Sequence, residues 1–144
     1  LPIIAANRGK GTPTGGDGLV AAFSAAADAV VAASAMQTAL EGYTGSDRSP
    51  HELSVRIGVA SGEVVLDQAG CPFLGGALNL AARVMDLADG GRIMMTGAVA
   101  DAAGAPPERL HAHGDFKLKN IAEPVPVVEL LWHAGLQSQE IRAS

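Results

Sequence analysis

The segment Gly75-Gly-Ala-Leu-Asn-Leu-Ala-Ala-Arg83 limits the possible folds more than any other part of the chain. Helical spacing puts Leu78, Ala81, Ala82 and Met85 at i, i+3, i+4 and i+7 on one apolar stripe. Asn79 and Arg83 stand four residues apart and so share another face. A helix with one apolar stripe must lie on a second layer, which leaves the Asn–Arg pair facing outward. The guanidinium is a planar fork that donates several hydrogen bonds to a phosphate, and an amide can orient a hydroxyl or a phosphate oxygen. Taken alone, the pair reads more simply as a solvated helix face.

The rest of the chain says what that second layer is. Leu53, Val55, Ile57 and Val59 alternate with Ser54, Arg56, Gly58 and Ala60, the pattern of a half-buried strand. Ser61-Gly62 breaks it and Glu63–Leu66 is a second short strand, so the two are predicted to form a hairpin. Residues 8–23 predict another hairpin, turning at Gly15-Gly-Asp-Gly18. Ser24 is a candidate cap for a helix running to about Glu41, with Ala29, Ala33, Met36 and Leu40 on its inner face. Residues 42–52 and 67–74 read as loops, and the Asn79 helix is expected to run to Asp89-Gly90-Gly91. Arg92–Met95 is a strand, Thr96 caps a small helix through about Ala103, and Leu110–Asp115 and Val125–Trp132 are further strands. Pro126 marks the last of these as an edge or an irregular start. The fold class is therefore α+β, with helices packed on the sheet. Residues 1–133 are expected to form one domain, and 134–144 a frayed tail.

With 48% apolar and 17% charged residues, 144 residues suffice for one packed core. Aromatic residues make up only 3%, so that core must rest on Ala, Val, Leu and Met with helix and sheet in close approach. The formal charge of −5 and the scarcity of stacking side chains argue against a nucleic-acid partner. Cys71 is the only cysteine, which excludes an intrachain disulfide and a thiolate metal site. No apolar run approaches the roughly 20 residues of a membrane span, and Leu1-Pro-Ile-Ile-Ala-Ala lacks the basic start of a secretory signal. A cytoplasmic location is the default expectation.

Several single residues could carry chemistry. Asp17 at a glycine-flanked tip could hold Mg²⁺ beside a triphosphate, although glycine-rich turns attract Asp in any case. Lys119 could meet a phosphate as a point charge, or be a surface lysine. Arg56 and Glu63 are expected to pair across their hairpin. His111 and His113 share one side of a strand, with no evident third metal ligand.

The order of five blocks is more specific than any one of them. Gly16-Asp-Gly-Leu-Val-Ala-Ala-Phe23, Val55-Arg-Ile-Gly-Val-Ala-Ser-Gly-Glu63, Gly75–Arg83, Gly90-Gly-Arg-Ile-Met-Met95 and Leu118-Lys-Asn-Ile-Ala-Glu-Pro-Val125 together resemble the class III adenylate/guanylate cyclase catalytic domain of the compact bacterial type. The resemblance covers about residues 7–132. It implies a ferredoxin-like, palm-type sheet rich in antiparallel pairs, short at its N-terminus relative to the family. It also implies conversion of ATP or GTP to a 3′,5′-cyclic nucleotide and pyrophosphate by two Mg²⁺ or Mn²⁺ ions, at sites shared by two head-to-tail chains. On this resemblance Asp17 is the second metal carboxylate, and Asn79 and Arg83 orient the ribose and stabilise the transition state from the other protomer. Lys119 holds the terminal phosphates.

Three departures accompany the match. The family's first metal Asp, on a Phe-x-Asp-Ile strand, has no counterpart in these residues. The purine-reading lysine position, four residues before Asp17, is Pro13, and its partner, seven before Asn79, is Pro72. Neither proline side chain can hydrogen-bond a base edge. Catalysis by this chain is accordingly expected to be weak or lost. The partners implied are a nucleoside triphosphate and a second cyclase domain, either a copy of this chain or another. The alternative is a non-catalytic cyclase-homology module that dimerises or binds nucleotide. Gly15-Gly16-Asp17 echoes a diguanylate-cyclase signature, but Gly18-Leu19 follows where Glu-Phe should.

Overall fold

A computed structural model describes residues 2–13, 18–44 and 55–132. Its elements are α1 (Pro2–Ala6), β1 (Lys10–Pro13), β2 (Leu19–Ala22), α2 (Ala26–Thr44), β3 (Ile57–Val59), β4 (Val65–Leu66), β5 (Pro72–Leu74), α3 (Gly76–Met85), β6 (Ile93–Thr96), α4 (Gly97–Ala103), a 3-10 turn at Pro107–Arg109, β7 (Leu110–Phe116) and β8 (Val125–Leu130). The main sheet has the order β3-β6-β8-β7, with β3 parallel to β6 and the other pairs antiparallel. The hairpins β1–β2 and β4–β5 form two further two-stranded sheets. The class is α+β and rich in antiparallel pairs, as the sequence predicts.

The main sheet is covered on both faces. Val30 and Ala33 of α2 and Val99 and Ala100 of α4 pack with Ile93, Met95 and Leu130. Val84 and Leu87 pack with Met94, Val125, Val127 and Leu118. Successive residues of β6 therefore enter different clusters, as the pleat requires. All four residues of β6 are buried, which explains its unbroken apolar run.

α3 lies directly on β3. A side chain at Gly58 would strike the Ala81 carbonyl oxygen and stand 2.8 Å from Met85 Cβ, so only glycine allows this approach. The start of α3 is equally tight. Gly75 has φ 141°, and a Cβ there would meet the Glu63 carbonyl and lie 2.8 Å from Val64 Cα. The Ala77 amide donates to the Glu63 carbonyl at 3.2 Å, giving one of the helix's free N–H groups a partner.

Several expectations need correction. Residues 57–66 are not a hairpin: β3 joins β6 in the main sheet, while β4 pairs with β5, inside the stretch expected to be a loop. Leu53 and Ser54 lie outside the described residues. α3 ends at Met85, short of Asp89. Its buried residues are Ala77 and Val84, with Leu80 packed beside them; of the expected stripe Leu78, Ala81 and Met85 are half-buried and Ala82 is exposed. α2 runs to Thr44 and starts at Ala26, which leaves Ser24 too early to cap it. Its buried face is Val30, Ala33 and Gln37, with Ala26 packed beside them. The Gln37 amide donates to the Val55 carbonyl at 2.9 Å and to the Arg92 carbonyl at 3.2 Å. β8 is an inner strand. Pro126 is tolerated because β6 pairs with β8 only from Val127 onward, so no β6 partner stands opposite Pro126. Thr96 does cap α4, its hydroxyl accepting from the Val99 amide at 3.4 Å.

Gly58→Ala is expected to lower unfolding stability by about 1–3 kcal/mol, the usual cost of overpacking. Urea denaturation at unchanged slope checks this, and an unaltered midpoint would contradict it.

Candidate functional site

The two glycine contacts that seat α3 also fix its rotation. With Ala77, Leu80, Ala81 and Val84 turned inward, Asn79 and Arg83 fall on the opposite side, Asn79 exposed and Arg83 half-buried. Neither side chain makes a hydrogen bond or ion pair with any described residue. Asp86, the residue that caps the C-terminal end of α3, follows Arg83 by about one turn, but its carboxylate is engaged by Arg56 at 3.6 Å. Arg56 thus pairs with Asp86, and not with the exposed Glu63 as the sequence led us to expect. The outward side of α3 presents an amide and a guanidinium, neither paired among the described residues.

Lys119 occupies the turn between β7 and β8. Asn120 adopts φ 65°, the Ile121 amide donates to the Leu118 carbonyl at 3.1 Å, and Lys117 Nζ donates to the Ala122 carbonyl at 3.0 Å. Lys117 is thus tied to its own turn, and Lys119 stays exposed without a partner among the described residues. An open pocket of about 550 Å³ is lined by Lys117, Leu118, Lys119, Asn120, Ile121 and Ala122. Leu118 and Ile121 anchor this turn in the cluster that holds Leu80 and Val84. The turn therefore belongs to the cluster on the inner stripe of α3.

Asp17 lies outside the described residues, as does His133. Pro13 is exposed at the end of β1, and Pro72 is buried at the start of β5. The elements carrying them are clasped together: Lys10 Nζ donates to the Ala69 carbonyl at 3.1 Å, and Cys71 Sγ lies 3.6 Å from the Gly11 carbonyl oxygen. Among the described residues, no three or more His, Cys, Asp or Glu side chains converge to hold a metal ion. His111 and His113 do lie on one side of β7, with ring centroids 4.6 Å apart, but His113 is committed to Glu129 at 2.9 Å.

Sequence reading missed that commitment. Glu129 is fully buried and bridges His113 and Arg92, the latter at 2.6 Å. The available signal was an acidic residue inside the apolar run Val-Pro-Val-Val-Glu-Leu-Leu-Trp, residues 125–132. A buried carboxylate in such a strand needs partners.

No protein-family model matches the chain. An uncharacterized protein of Mycobacterium tuberculosis is 41% identical over 87 residues, covering 60% of this chain and 31% of that protein. A Rhizobium meliloti protein with a provisional adenylate cyclase name is 26% identical over 134 residues, covering 88% of this chain and 21% of its own length. The chain thus spans a third or less of these curated relatives. Among solved structures, the adenylate/guanylate cyclase/hydrolase of Silicibacter pomeroyi superposes with a TM-score of 0.75 at 30% identity, covering 90% of this chain and 76% of that one. An adenylate cyclase of Trypanosoma brucei in its monomeric state gives a TM-score of 0.76 at 21% identity, over 99% and 78% of the two chains, and shows the shared fold. The chain belongs to the class III adenylate/guanylate cyclase family as a cyclase-homology domain. None of its described helices is long and apolar enough to cross a membrane.

Because Asn79 is exposed and unpartnered, Asn79→Ala is expected to change unfolding stability by no more than about 0.5 kcal/mol. Thermal or urea unfolding checks it; a loss of several times that size would mean that Asn79 serves the core.

Proposed function

We propose that this domain binds a nucleoside triphosphate at a site shared between two copies, and that its reaction is that of its family: ATP or GTP to a 3′,5′-cyclic nucleotide and pyrophosphate. The observation that carries this reading is the outward, unpartnered Asn79–Arg83 pair on α3 of a cyclase-family fold. Asn79 and Arg83 orient the ribose and meet the charge that develops at the α-phosphate, facing Asp17 of the other copy, and Lys119 holds the terminal phosphates.

The family reaction uses Mg²⁺ or Mn²⁺. The described residues offer no converging set of ligands. Asp17 is proposed as a metal ligand on resemblance alone. The 144 residues supply no second carboxylate of the family's type, and turnover by them alone is therefore proposed to be weak or absent. Pro13 and Pro72 favour a second reading, a cyclase-homology module that binds nucleotide or a partner without efficient catalysis, because neither can read a purine edge.

Cyclic nucleotide formation should be measured with Mn²⁺ and either ATP or GTP. The expected result is little or no product, with little preference between the bases in ATP and GTP binding. Robust turnover that Arg83→Ala abolishes would overturn the impaired reading. Absence of binding to either nucleotide would overturn the nucleotide site itself.

A further inference from the structure

The most heavily buried ionic group in the described chain plays no part in the site above. Glu129 of β8 is 0% exposed and lies between Arg92, just before β6, and His113 of β7, whose side chains are 8% and 6% exposed. One carboxylate oxygen accepts from Arg92 Nη1 at 2.6 Å, and the other lies 2.9 Å from His113 Nε2. Three neighbouring strands are thus joined at one buried carboxylate.

His113 is also where the β7–β8 ladder slips. Ala112 pairs with Val128 and Gly114 with Val127, so His113 is an extra residue with no partner position of its own. Gly114, at φ 99°, takes up the bend that follows. Every residue beyond the bulge is shifted by one. With the bulge, Phe116 stands opposite Val125 and packs in the cluster of Leu118 and Val84. Without it, Asp115 would stand opposite Val125, and side chains would exchange faces up to the turn that carries Lys119.

We infer that the Arg92–Glu129–His113 clasp is a positioning device: by holding His113 in the bulge, it fixes the β7–β8 register and so aims Lys119 at the phosphates. This rests on the phosphate role proposed for Lys119. His113 and Glu129 touch no ligand; they act through the turn.

The test compares ATP and AMP binding, with Mn²⁺, by calorimetry for five proteins: the unaltered chain, Lys119→Ala, His113→Ala, His113→Gln and the double variant Lys119→Ala/His113→Ala. His113→Gln keeps a donor for Glu129. His113→Ala is expected to weaken ATP binding about tenfold, as Lys119→Ala does, the loss typical of one charge-assisted bond. AMP binding should be unchanged, His113→Gln should restore ATP binding, and the double variant should be no weaker than either single one. Where Lys119→Ala weakens ATP binding, unchanged ATP binding in His113→Ala would overturn the inference, as would equal losses of ATP and AMP, which mark a general structural defect. If Lys119→Ala leaves ATP binding intact, the phosphate role of Lys119 falls by itself. Amide hydrogen exchange at Gly114 and Phe116 then decides the register claim: protection kept in His113→Ala overturns it, and protection lost sustains it.

Discussion

The seat of α3 on β3 governs the whole arrangement. Gly58 lets the backbone of the helix approach that of the strand, and Gly75 lets its first turn dock against Glu63 and Val64. A chain with 3% aromatic residues cannot fill a wide gap between layers, so it closes the gap with small residues. Once the helix is seated at two points it can neither roll nor slide. Its inner stripe is then committed to Met94, Val127 and Leu118, and Asn79 and Arg83 are committed to the outside. The chemistry available to the helix follows from packing on its far side.

Much of this was legible in the sequence. The outward Asn–Arg face, the β1–β2 hairpin, β6 and the Thr96 cap all follow from local signals, and the structure bears them out. Misread elements were those decided by distant partners. The alternation through Val55–Val59 is shared by a hairpin arm and by a strand lying parallel to β6, and only long-range pairing separates the two. Both helix stripes were placed only in part: Ala33 is buried as expected, but Val30, Gln37, Ala77 and Val84 were not foreseen, because in an Ala-rich helix every face carries small apolar residues and the pattern has little contrast. Pro126 was read as an edge or an irregular start, and the second holds: β8 is an inner strand, but its pairing with β6 begins only at Val127. The bulge at His113 has a trace in the sequence, a Gly after a His and a Glu in an apolar strand, but its meaning needs the register.

The site was half legible. The residue types of Asn79, Arg83 and Lys119 could be read, while the packing that exposes them needed the structure. Asn79 and Arg83 lie off the inner stripe of α3, and Lys119 stands exposed on a turn anchored by Leu118 and Ile121 in the cluster beneath that stripe. The proposed site joins the Asn–Arg face of one copy to the Asp17 loop of another, as the family resemblance implies.

Mixing two damaged proteins tests the shared site most directly. Arg83→Ala and Asp17→Ala variants are each prepared alone, then combined, and the number of nucleoside triphosphate sites is titrated in the presence of Mn²⁺. A two-copy site puts both lesions into one site of a mixed pair and leaves the other intact, so the mixture should regain about a quarter of the unaltered chain's sites. A mixture that binds no better than the separate variants would contradict the account, because each copy would then be using its own Arg83 and Asp17.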